Sequence, residues 1–428
     1  MPPIHVILIG GENQPLAVGR ELNFFYVIIA GSEQCRLAAG GGNGILAAGG
    51  ENRIKMVAAI LLGVKHYAVA GKIEPAIFPK LGEGIIELLA AGGAAPEALT
   101  RGETIEWSPV ATGDGKTILC LGSSATTPAM PYVLGRNGRQ VIANAALPKD
   151  FPSAALVTPK QVIFQSEDGL TLHGQLFMPR GASGKVPGLV FMHGGPIRQM
   201  MLGFHYLDYY HNAYAENQYL ASRGYAVLSV NYRLGIMYGR HFREAPNSVW
   251  RGSAEYKDVV AAGKYLQSLP EVDAGKIGLW GGSYGGLLTA LGLARNSDLF
   301  KAGVDFHGVH DWSVFLTERP YFGNLALRPP DAEAAVKLAW ESSPNSSVGN
   351  WRSPVLLIHG DDDRNVPFSQ TTDLAQRLRE HHVPFEQMIL PDEIHDLLMW
   401  KSWVKAYQAT ADFFDRALKR GEKISSEN

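Results

Sequence analysis

Cysteine is scarce in this chain of 428 residues, and neither sign of charge predominates. The spacing of Cys35 and Cys120 suggests neither a metal site nor a disulfide framework, so buried free thiols are the simpler interpretation. A formal net charge of -2 gives no electrostatic basis for binding nucleic acid or an anionic membrane. Long apolar runs are also missing, because residues 24–30 and 56–64 fall well short of the ~20 residues of a membrane-spanning helix. We therefore expect partners other than nucleic acids and membranes.

The first five residues carry no lysine or arginine. The apolar run after them is therefore a poor signal peptide, and we expect a cytoplasmic protein. Apolar residues make up 46% of the chain and charged residues 19%, a composition that supplies ample core material for a globular fold. A length of 428 residues predicts two domains.

Residues 1–155 are predicted to form a smaller, all-β, partial β-propeller-like region. Before residue 90, glycine clusters separate short apolar runs, which suits short antiparallel strands, with plain low complexity as the alternative. The Trp107-Ser108-Pro109 motif, an Asp-Gly turn and an apolar strand over 117–122 are typical of a propeller blade. A blade takes ~40–45 residues and four to eight blades close a ring, so this region supplies only about three.

Residues 156–428 are predicted to form an α/β domain. After a hairpin over 164–177, apolar strands alternate with helical segments, and this alternation predicts a doubly wound, mostly parallel sheet. Ser253 is the predicted N-cap of the second helix. The predicted strands cover residues 188–192, 225–231, 302–306, 355–358 and 385–390, and the predicted helices cover 213–223, 253–269, 287–295, 370–380 and 397–418.

A Gly-x-Ser-x-Gly motif lies at Gly281-Gly282-Ser283-Tyr284-Gly285, between an apolar strand and a helical segment. That setting is typical of a nucleophile elbow, a tight turn that exposes the serine hydroxyl at the end of a strand. The turn leaves no room for side chains two residues before and two after the serine, and glycine meets that demand at both positions. A plain glycine-rich turn is the alternative, because 48 glycines make chance matches common. The flanking strand and helix favour Ser283 as a nucleophile.

A serine nucleophile needs a histidine base that is itself oriented by a carboxylate. Two later loops each follow an apolar strand, as this topology requires. The first carries three consecutive aspartates at 361–363, among which chain order alone does not choose, and the second carries His395. Of the other histidines, the pair at 381–382 is explained by a helix C-terminus. The spacing of His307 and His310 is weak evidence for a metal site.

At these motifs the chain resembles the catalytic domain of the prolyl oligopeptidase family of serine peptidases, and most of all its acylaminoacyl-peptidase and dipeptidyl-peptidase-like branches. The similarity covers roughly residues 160–420, where the motifs follow one another in the family's order. They are His-Gly-Gly-Pro at 193–196, Asn-Tyr-Arg at 231–233, Trp-Gly-Gly-Ser-Tyr-Gly-Gly at 280–286, residues 359–366 and the His395 loop. The resemblance implies an α/β-hydrolase catalytic domain. In the family a propeller of seven or eight blades precedes it, and this chain has a shortened one.

The resemblance also implies roles for individual residues. The family's acid is the fourth residue after the histidine of its His-Gly motif, with a valine three residues further on, which selects Asp363 beside Val366. The backbone N–H groups of Tyr284 and Gly195 are the expected oxyanion hole. Asn365 is expected to contact the carbonyl of the bound substrate, with a simple turn residue as the alternative.

We therefore predict a serine peptidase that cleaves peptide bonds in short peptides through an acyl-enzyme, with neither a cofactor nor a metal. An esterase of small acyl esters would use the same triad and is the first alternative, and a catalytically inactive binding protein is the second. Exopeptidase and endopeptidase action both stay open, because propeller loops of the family often bind the substrate's N-terminus. An open propeller would also expose strand edges that another subunit could cover, so a homo-oligomer is a further hypothesis.

Overall fold

The computed structural model describes residues 99–425, apart from short gaps at 101, 103, 115–116, 136–137 and 144–146 and a longer one at 318–330. Before residue 99 it describes the backbone of eight short strands. Cys120 is a buried free thiol, as predicted, whereas Cys35 and the apolar run at 24–30 lie outside the described residues.

Eight strands of the described chain form one mixed sheet at the centre of the larger domain. In chain order they are β13 (Lys160–Gln165), β14 (Thr171–Phe177), β15 (Val186–Met192), β16 (Ala226–Asn231), β17 (Val272–Gly282), β18 (Phe300–Phe306), β19 (Val355–Gly360) and β20 (Phe385–Leu390). Their spatial order is β13-β14-β16-β15-β17-β18-β19-β20. The first two strands form an antiparallel hairpin that joins β16 antiparallel, and all pairings from β16 onward are parallel. The predicted doubly wound, mostly parallel sheet is confirmed.

Helices cover both faces of this sheet, which explains why the central strands β15, β16 and β19 are buried at every position. One apolar core joins the sheet to α3 (Tyr256–Ser268), α4 (Tyr284–Arg295) and α7 (Ser369–Glu380). A second core joins the opposite face to α1 (Asp208–Ser222) and α8 (Trp400–Phe414). The other described helices are α2 (Arg240–Arg243), α5 (Trp312–Thr317) and α6 (Ala332–Glu341). Among the described residues, no helix combines the length and apolar character needed to cross a membrane.

The described chain before the larger domain contains only strands, as predicted. A four-stranded antiparallel sheet has the order β12-β11-β10-β9, with β9 at Ile105–Ala111, β10 at Ile118–Ser123, β11 at Met130–Gly135 and β12 at Gly138–Val141. The earlier strands are β1 (His5–Val6), β2 (Leu8–Gly10), β3 (Gln14–Leu16), β4 (Arg36–Gly40), β5 (Ile45–Ala47), β6 (Ile73–Lys80), β7 (Glu83–Ala90) and β8 (Glu97–Ala98). They pair in sets of two or three.

Buried polar contacts fasten the four-stranded sheet to the larger domain. The Ser123 hydroxyl donates to the carbonyl of Phe204 at 2.5 Å, and the Tyr214 hydroxyl donates to the carbonyl of Ala125 at 2.9 Å. The side chain of Gln218 bonds both the N–H and the carbonyl of Val157, in the segment between the two regions. The sheet therefore rests on α1 and the loop before it. The domain division at residues 155 and 156 stays a prediction.

The predicted N-cap at Ser253 is wrong. Helix α3 begins at Tyr256, and the residue before it, Glu255, makes no side-chain cap bond. Ser253 has φ +49°, and its hydroxyl donates its single proton to the carbonyl of Ser342 at 2.8 Å, with the carbonyl of Val249 as a more distant acceptor at 3.1 Å. A tertiary contact spanning 89 residues thus replaces the local cap that the sequence suggested.

Candidate active site

Ser283 occupies a sharp turn between the end of β17 and the start of α4. Its φ of 58° and ψ of -116° are rarely adopted by residues other than glycine. Two backbone bonds hold this conformation: the Ser283 N–H donates to the carbonyl of Phe306 at 2.9 Å, and its carbonyl accepts from the N–H of Leu287 at 3.0 Å. The serine is thereby fixed between a neighbouring strand and the first turn of its own helix.

The glycines on either side of Ser283 allow the end of β15 to approach this turn. A Cβ atom on Gly281 would collide with the carbonyl oxygen of Met192 and lie 2.9 Å from the carbonyl carbon of Gly285. A Cβ atom on Gly285 would collide with the same oxygen and lie 2.9 Å from the Met192 carbonyl carbon. Backbone atoms cannot rotate away, so both positions require glycine. The need for glycine at both positions is as predicted, but its main cause is the close approach of β15 rather than the tightness of the turn alone.

The topology brings the other two predicted residues to the same edge of the sheet. Strands β17 to β20 are parallel neighbours, so their carboxyl ends lie together. Ser283 follows β17, Asp363 follows β19, and His395 follows β20. His395 Nδ1 lies 2.6 Å from Asp363 Oδ2, and the Asp363 side chain is fully buried. The imidazole therefore donates its Nδ1 proton to the carboxylate, which leaves Nε2 as its acceptor nitrogen.

The three consecutive aspartates have different environments. Asp361 is exposed and accepts the N–H of Asp392 at 2.7 Å, and exposed Asp362 pairs with Arg364 at 3.0 Å. Asp363 is buried and faces His395. The aspartate that lies next to His395 is thus the one that the family resemblance selects. Chain order alone could not choose among the three.

The turn after Asp363 also holds its carboxylate. Asp363 Oδ1 accepts the N–H groups of Asn365 at 2.8 Å and of Val366 at 2.9 Å. Asn365 itself is exposed beside the site. A contact of its side chain with substrate stays a prediction, whereas its backbone already orients the acid.

A second histidine bonds the Asp363 carboxylate. His359 Nε2 lies 3.1 Å from Asp363 Oδ2, and His359 Nδ1 lies 2.7 Å from the Thr371 hydroxyl. Burial alone would raise the pKa of Asp363, but the bonds from His359 and His395 outweigh it and hold that pKa well below the ordinary range. Asp363 is therefore ionised at neutral pH. The sequence motif contains His359, but nothing in its spacing indicates this contact.

The loop after β15 lies directly against the elbow. A Cβ atom on Gly194 would lie 2.9 Å from the carbonyl of Gly282 and 3.2 Å from Ser283 Cβ. The next residue, Gly195, is exposed and has φ +123°. On the other side, Tyr284 is the first residue of α4, so its N–H has no partner within the helix. The loop and the helix start thus flank Ser283, and the oxyanion role of Gly195 and Tyr284 stays a prediction.

His193 stiffens the loop that carries Gly195. Its ring stacks on Tyr232 with the centroids 4.3 Å apart, and its Nδ1 lies 2.9 Å from the carbonyl of Gly194. Burial lowers the pKa of His193 to about 4, so the ring is neutral at pH 7. A buried neutral ring at this position supports the loop by packing.

The side chain of Tyr284 anchors the elbow to the start of α3. Its hydroxyl donates to Glu255 Oε1 at 2.5 Å, and both side chains are buried. Glu255 Oε2 also accepts the N–H of Val249 at 3.1 Å. Burial raises the pKa of Glu255, and these donors offset part of that shift. Sequence reasoning missed this anchor, because 29 residues separate its two ends.

Arg233 ties the loop after β16 to two further elements. Its guanidinium bonds both oxygens of Asp258 in α3, with a shortest distance of 2.7 Å, and both oxygens of Asp168 in the β13–β14 turn at 2.7 and 2.8 Å. The bonds from Arg233 lower the pKa of half-exposed Asp168 to about 2. Burial raises the pKa of Asp258 despite the same partner, because that carboxylate is fully enclosed. The network stabilises the segment next to the His193 loop.

The two histidines after β18 are parts of different clusters. His310 bonds Asp305 Oδ2 at 2.8 Å and the carbonyl of Gln370 at 2.9 Å. His307 instead packs against the catalytic-site imidazole, with its ring centroid 4.2 Å from that of His395. They therefore do not form a metal site together. His307 was not among the predicted site residues, although its position after β18, between β17 and β19, puts it at the same sheet edge.

Comparisons with known proteins identify the family that this domain resembles. Residues 211–421 match the model of the prolyl oligopeptidase family. Dipeptidyl aminopeptidase BIII of Pseudoxanthomonas mexicana is 30% identical over 319 residues, which are 71% of this chain and 45% of that protein. The acylamino-acid-releasing enzyme of Mus musculus is 27% identical over 254 residues, which are 56% of this chain and 32% of that enzyme. This chain thus spans less than half the length of these curated relatives.

Solved structures share the fold. A puromycin-hydrolysing peptidase of Mycobacterium tuberculosis superposes with a TM-score of 0.71 at 23% identity, covering 92% of this chain and 61% of that one. The acylaminoacyl peptidase of Pyrococcus horikoshii superposes with a TM-score of 0.70 at 22% identity, covering 95% and 65%. The predicted α/β-hydrolase domain preceded by a smaller all-β region is confirmed.

Proposed function

The chain belongs to the prolyl oligopeptidase family over residues 211–421, and from that premise we propose that it is a serine peptidase acting on short peptides. The observation that carries this proposal is the buried Asp363–His395 pair, which lies at the same sheet edge as the strained turn of Ser283. A serine hydroxyl is a poor nucleophile at neutral pH without such a base. The pair supplies the base and fixes its tautomer.

In the proposed reaction, the Ser283 hydroxyl attacks the peptide carbonyl while His395 Nε2 accepts its proton. Asp363 keeps the ring oriented through Nδ1 and stabilises the imidazolium that forms. His395 then donates the proton to the leaving amine, and water hydrolyses the acyl-enzyme by the same route in reverse. The N–H groups of Tyr284 and Gly195 would bind the oxyanion, and each such donor contributes about 3–4 kcal/mol to transition-state stabilisation.

The relatives' names favour peptides over esters as substrates. One is a dipeptidyl aminopeptidase and another an acylamino-acid-releasing enzyme, so both are named for removing a short unit from a chain end. We infer a peptide substrate for this chain on that basis, with Asn365 placed to contact the substrate's carbonyl. A location in the cytoplasm and assembly into a homo-oligomer are further proposals.

An esterase of small acyl esters is the second candidate, since the same three groups would serve it. The two are separated by comparing turnover of peptide anilides and p-nitrophenyl esters by the same preparation. We expect hydrolysis of at least one N-terminally free or acylated peptide anilide. Turnover of the esters without turnover of any peptide anilide would exclude peptidase activity.

Replacing the nucleophile tests the chemistry itself. Ser283→Ala should lower kcat about 10⁶-fold, as removal of a triad serine does elsewhere. A variant that keeps most of its turnover would exclude Ser283 as the nucleophile. An inactive wild-type chain with an intact fold would instead favour a binding protein.

A further inference from the structure

His307, Asp363 and His395 form a compact buried group at the carboxyl edge of the sheet. One ligand atom from each lies within 4.8 Å of those of the other two. Each of the three follows a different parallel strand, namely β18, β19 and β20, so the sheet itself fixes their spacing. The peptidase mechanism uses two of these side chains and leaves His307 without a function.

His307 has an unused ring nitrogen. The residue is 1% exposed, and its Nδ1 has no hydrogen-bond partner among the described residues. Its other nitrogen, Nε2, lies 3.2 Å from the Tyr209 hydroxyl. A neutral imidazole keeps a lone pair on one of its two ring nitrogens, and when Nε2 donates its proton to the Tyr209 hydroxyl, that lone pair is on Nδ1. Unpaired buried polar atoms are rare in folded proteins, and they often indicate a missing ligand.

We propose that His307, His395 and Asp363 form a reversible inhibitory site for a divalent transition-metal cation such as Zn²⁺. Two imidazoles and one carboxylate are the ligands of many zinc sites, with water or substrate in the fourth position. Mg²⁺ and Ca²⁺ prefer oxygen ligands and do not suit this set. The group is open to solvent on the side of His395, whose side chain is 11% exposed, and Ser283 is half-buried.

The group needs only small movements to enclose such a cation. Zinc holds N and O ligands at about 2.0–2.2 Å, which puts tetrahedral ligands about 3.4 Å apart. The His395–Asp363 pair must therefore open from 2.6 Å, and His307 must close from at most 4.8 Å. Both required shifts are of about 1 to 2 Å.

Metal binding would block catalysis through the tautomer of His395, a consequence that rests on the proposed function. The neutral ring carries one proton, on Nδ1, which it donates to Asp363. A cation bound at Nδ1 transfers that proton to Nε2 through solvent, and the ring neither gains nor loses a proton overall. Nε2 then no longer accepts the proton of Ser283. The cation thus inhibits without touching the serine.

The binding step is tested by calorimetric titration of the full, chelator-treated chain with ZnSO₄ and, separately, with MgCl₂. We expect one zinc ion per chain and no magnesium binding. His307→Asn should weaken zinc binding at least about tenfold, as loss of a group supporting a metal does. The matched control His381→Asn changes an exposed histidine and should bind zinc as the wild type does. Equal affinity in His307→Asn and wild type, or no zinc binding at all, would overturn the site.

Should His307→Asn fail to fold, X-ray absorption of the zinc-loaded wild type decides the question. Two imidazole ligands support the proposal, and one or none contradicts it. The rate at which a fluorophosphonate labels Ser283 tests the inhibition separately. At a zinc concentration that half-saturates the wild type, zinc should slow labelling of the wild type, EDTA should restore it, and labelling of His307→Asn should slow far less. A chain that binds zinc through His307 but is never labelled contradicts the peptidase proposal alone, whereas labelling insensitive to zinc contradicts the inhibition.

Discussion

Asp363 accepts four hydrogen bonds through two oxygens, and this set separates it from its two neighbouring aspartates. Two bonds come from backbone N–H groups of its own turn, and two come from His359 and His395. The local sequence shows three equivalent carboxylates. Their difference in burial arises only when β19 and β20 pair. Asp363 could therefore be selected from the resemblance to a family but not from the local pattern.

His359→Leu should lower the free energy of unfolding by about 2 kcal/mol at pH 7, because a hydrogen bond to a buried charged group is lost. The folded-state pKa of Asp363 is depressed, so the stability it contributes is present above its unfolded value near 4 and is lost progressively as the pH falls from there toward the folded-state value. The deficit of the variant is therefore expected in full at pH 7, where urea unfolding measures it.

His359→Gln is the matched control, because its amide N–H can still donate to the carboxylate. It should keep most of the wild-type stability. A leucine variant as stable as the glutamine variant would show that His359 contributes packing alone.

The elbow is the element that sequence predicts best, since its motif, the strand before it and the helix after it are contiguous in the chain. The Cβ clash at Gly285 is with the backbone of β15, which no side-chain rotation relieves. The Tyr284–Glu255 anchor and the conformation of Ser253 depend on partners 29 and 89 residues away. A single sequence has no signal for such contacts, and there the prediction of the α3 cap failed.

Gly285→Ala should destabilise the protein by at least about 3 kcal/mol, because overpacking against rigid backbone is not relieved by side-chain movement. Gly275→Ala in β17, the strand that leads into the turn, is the control, since its Cβ would meet only the Asp273 side chain at 3.5 Å. Urea unfolding of both variants measures the difference. Similar stability of the two would contradict the proposed close approach of β15 and the turn.

Arg233→Met should lower the free energy of unfolding by about 3–5 kcal/mol, because it leaves the carboxylate of Asp258 buried without its charged partner. Arg240→Met removes an exposed i,i+4 pair with Glu244 and should leave the free energy of unfolding close to that of the wild type. Denaturant titration of the two variants at equal protein concentration tests the contrast. An equal decrease in the free energy of unfolding in both variants would mean that the Arg233 network does not stabilise the packing of β16, α3 and the β13–β14 turn.

Across the whole molecule, buried neutral histidines set the response to mild acid. His205 is buried, and its ring accepts the N–H of Leu207 at Nδ1 and donates from Nε2 to the carbonyl of Gln199. Burial lowers its pKa to about 3, and that of His193 to about 4. Protonation of His205 would place two N–H groups against each other, so the folded state resists it.

Both folded-state values lie below the unfolded value of about 6.5, so the unfolded chain binds more protons in mild acid. Stability should therefore be full above pH 6.5 and fall by about 1.4 kcal/mol per pH unit per ring down to about pH 4. His205→Gln should flatten this slope, and His381→Gln, at an exposed position, should not. Urea unfolding between pH 7 and pH 5 measures the slopes; an unchanged slope in His205→Gln would contradict the role of that ring.

The order of strands and helices in the larger domain follows from the alternating pattern of the sequence, and it places three chemical groups at one sheet edge. The packing of His307 on His395 does not follow from any pattern, because it joins the ends of strands that are far apart in the chain. The N-terminal sheets are short and glycine-punctuated, so the sequence there indicates strands without indicating their partners.

The proposed function depends on Ser283 as a nucleophile that His395 activates. Incubation with a fluorophosphonate probe, followed by intact mass and peptide mapping, tests this without knowledge of the substrate. We expect one adduct per chain on Ser283 in the wild type. We expect no adduct in Ser283→Ala and much slower labelling in His395→Ala. An unlabelled wild-type chain, or an adduct on a different residue, would contradict it.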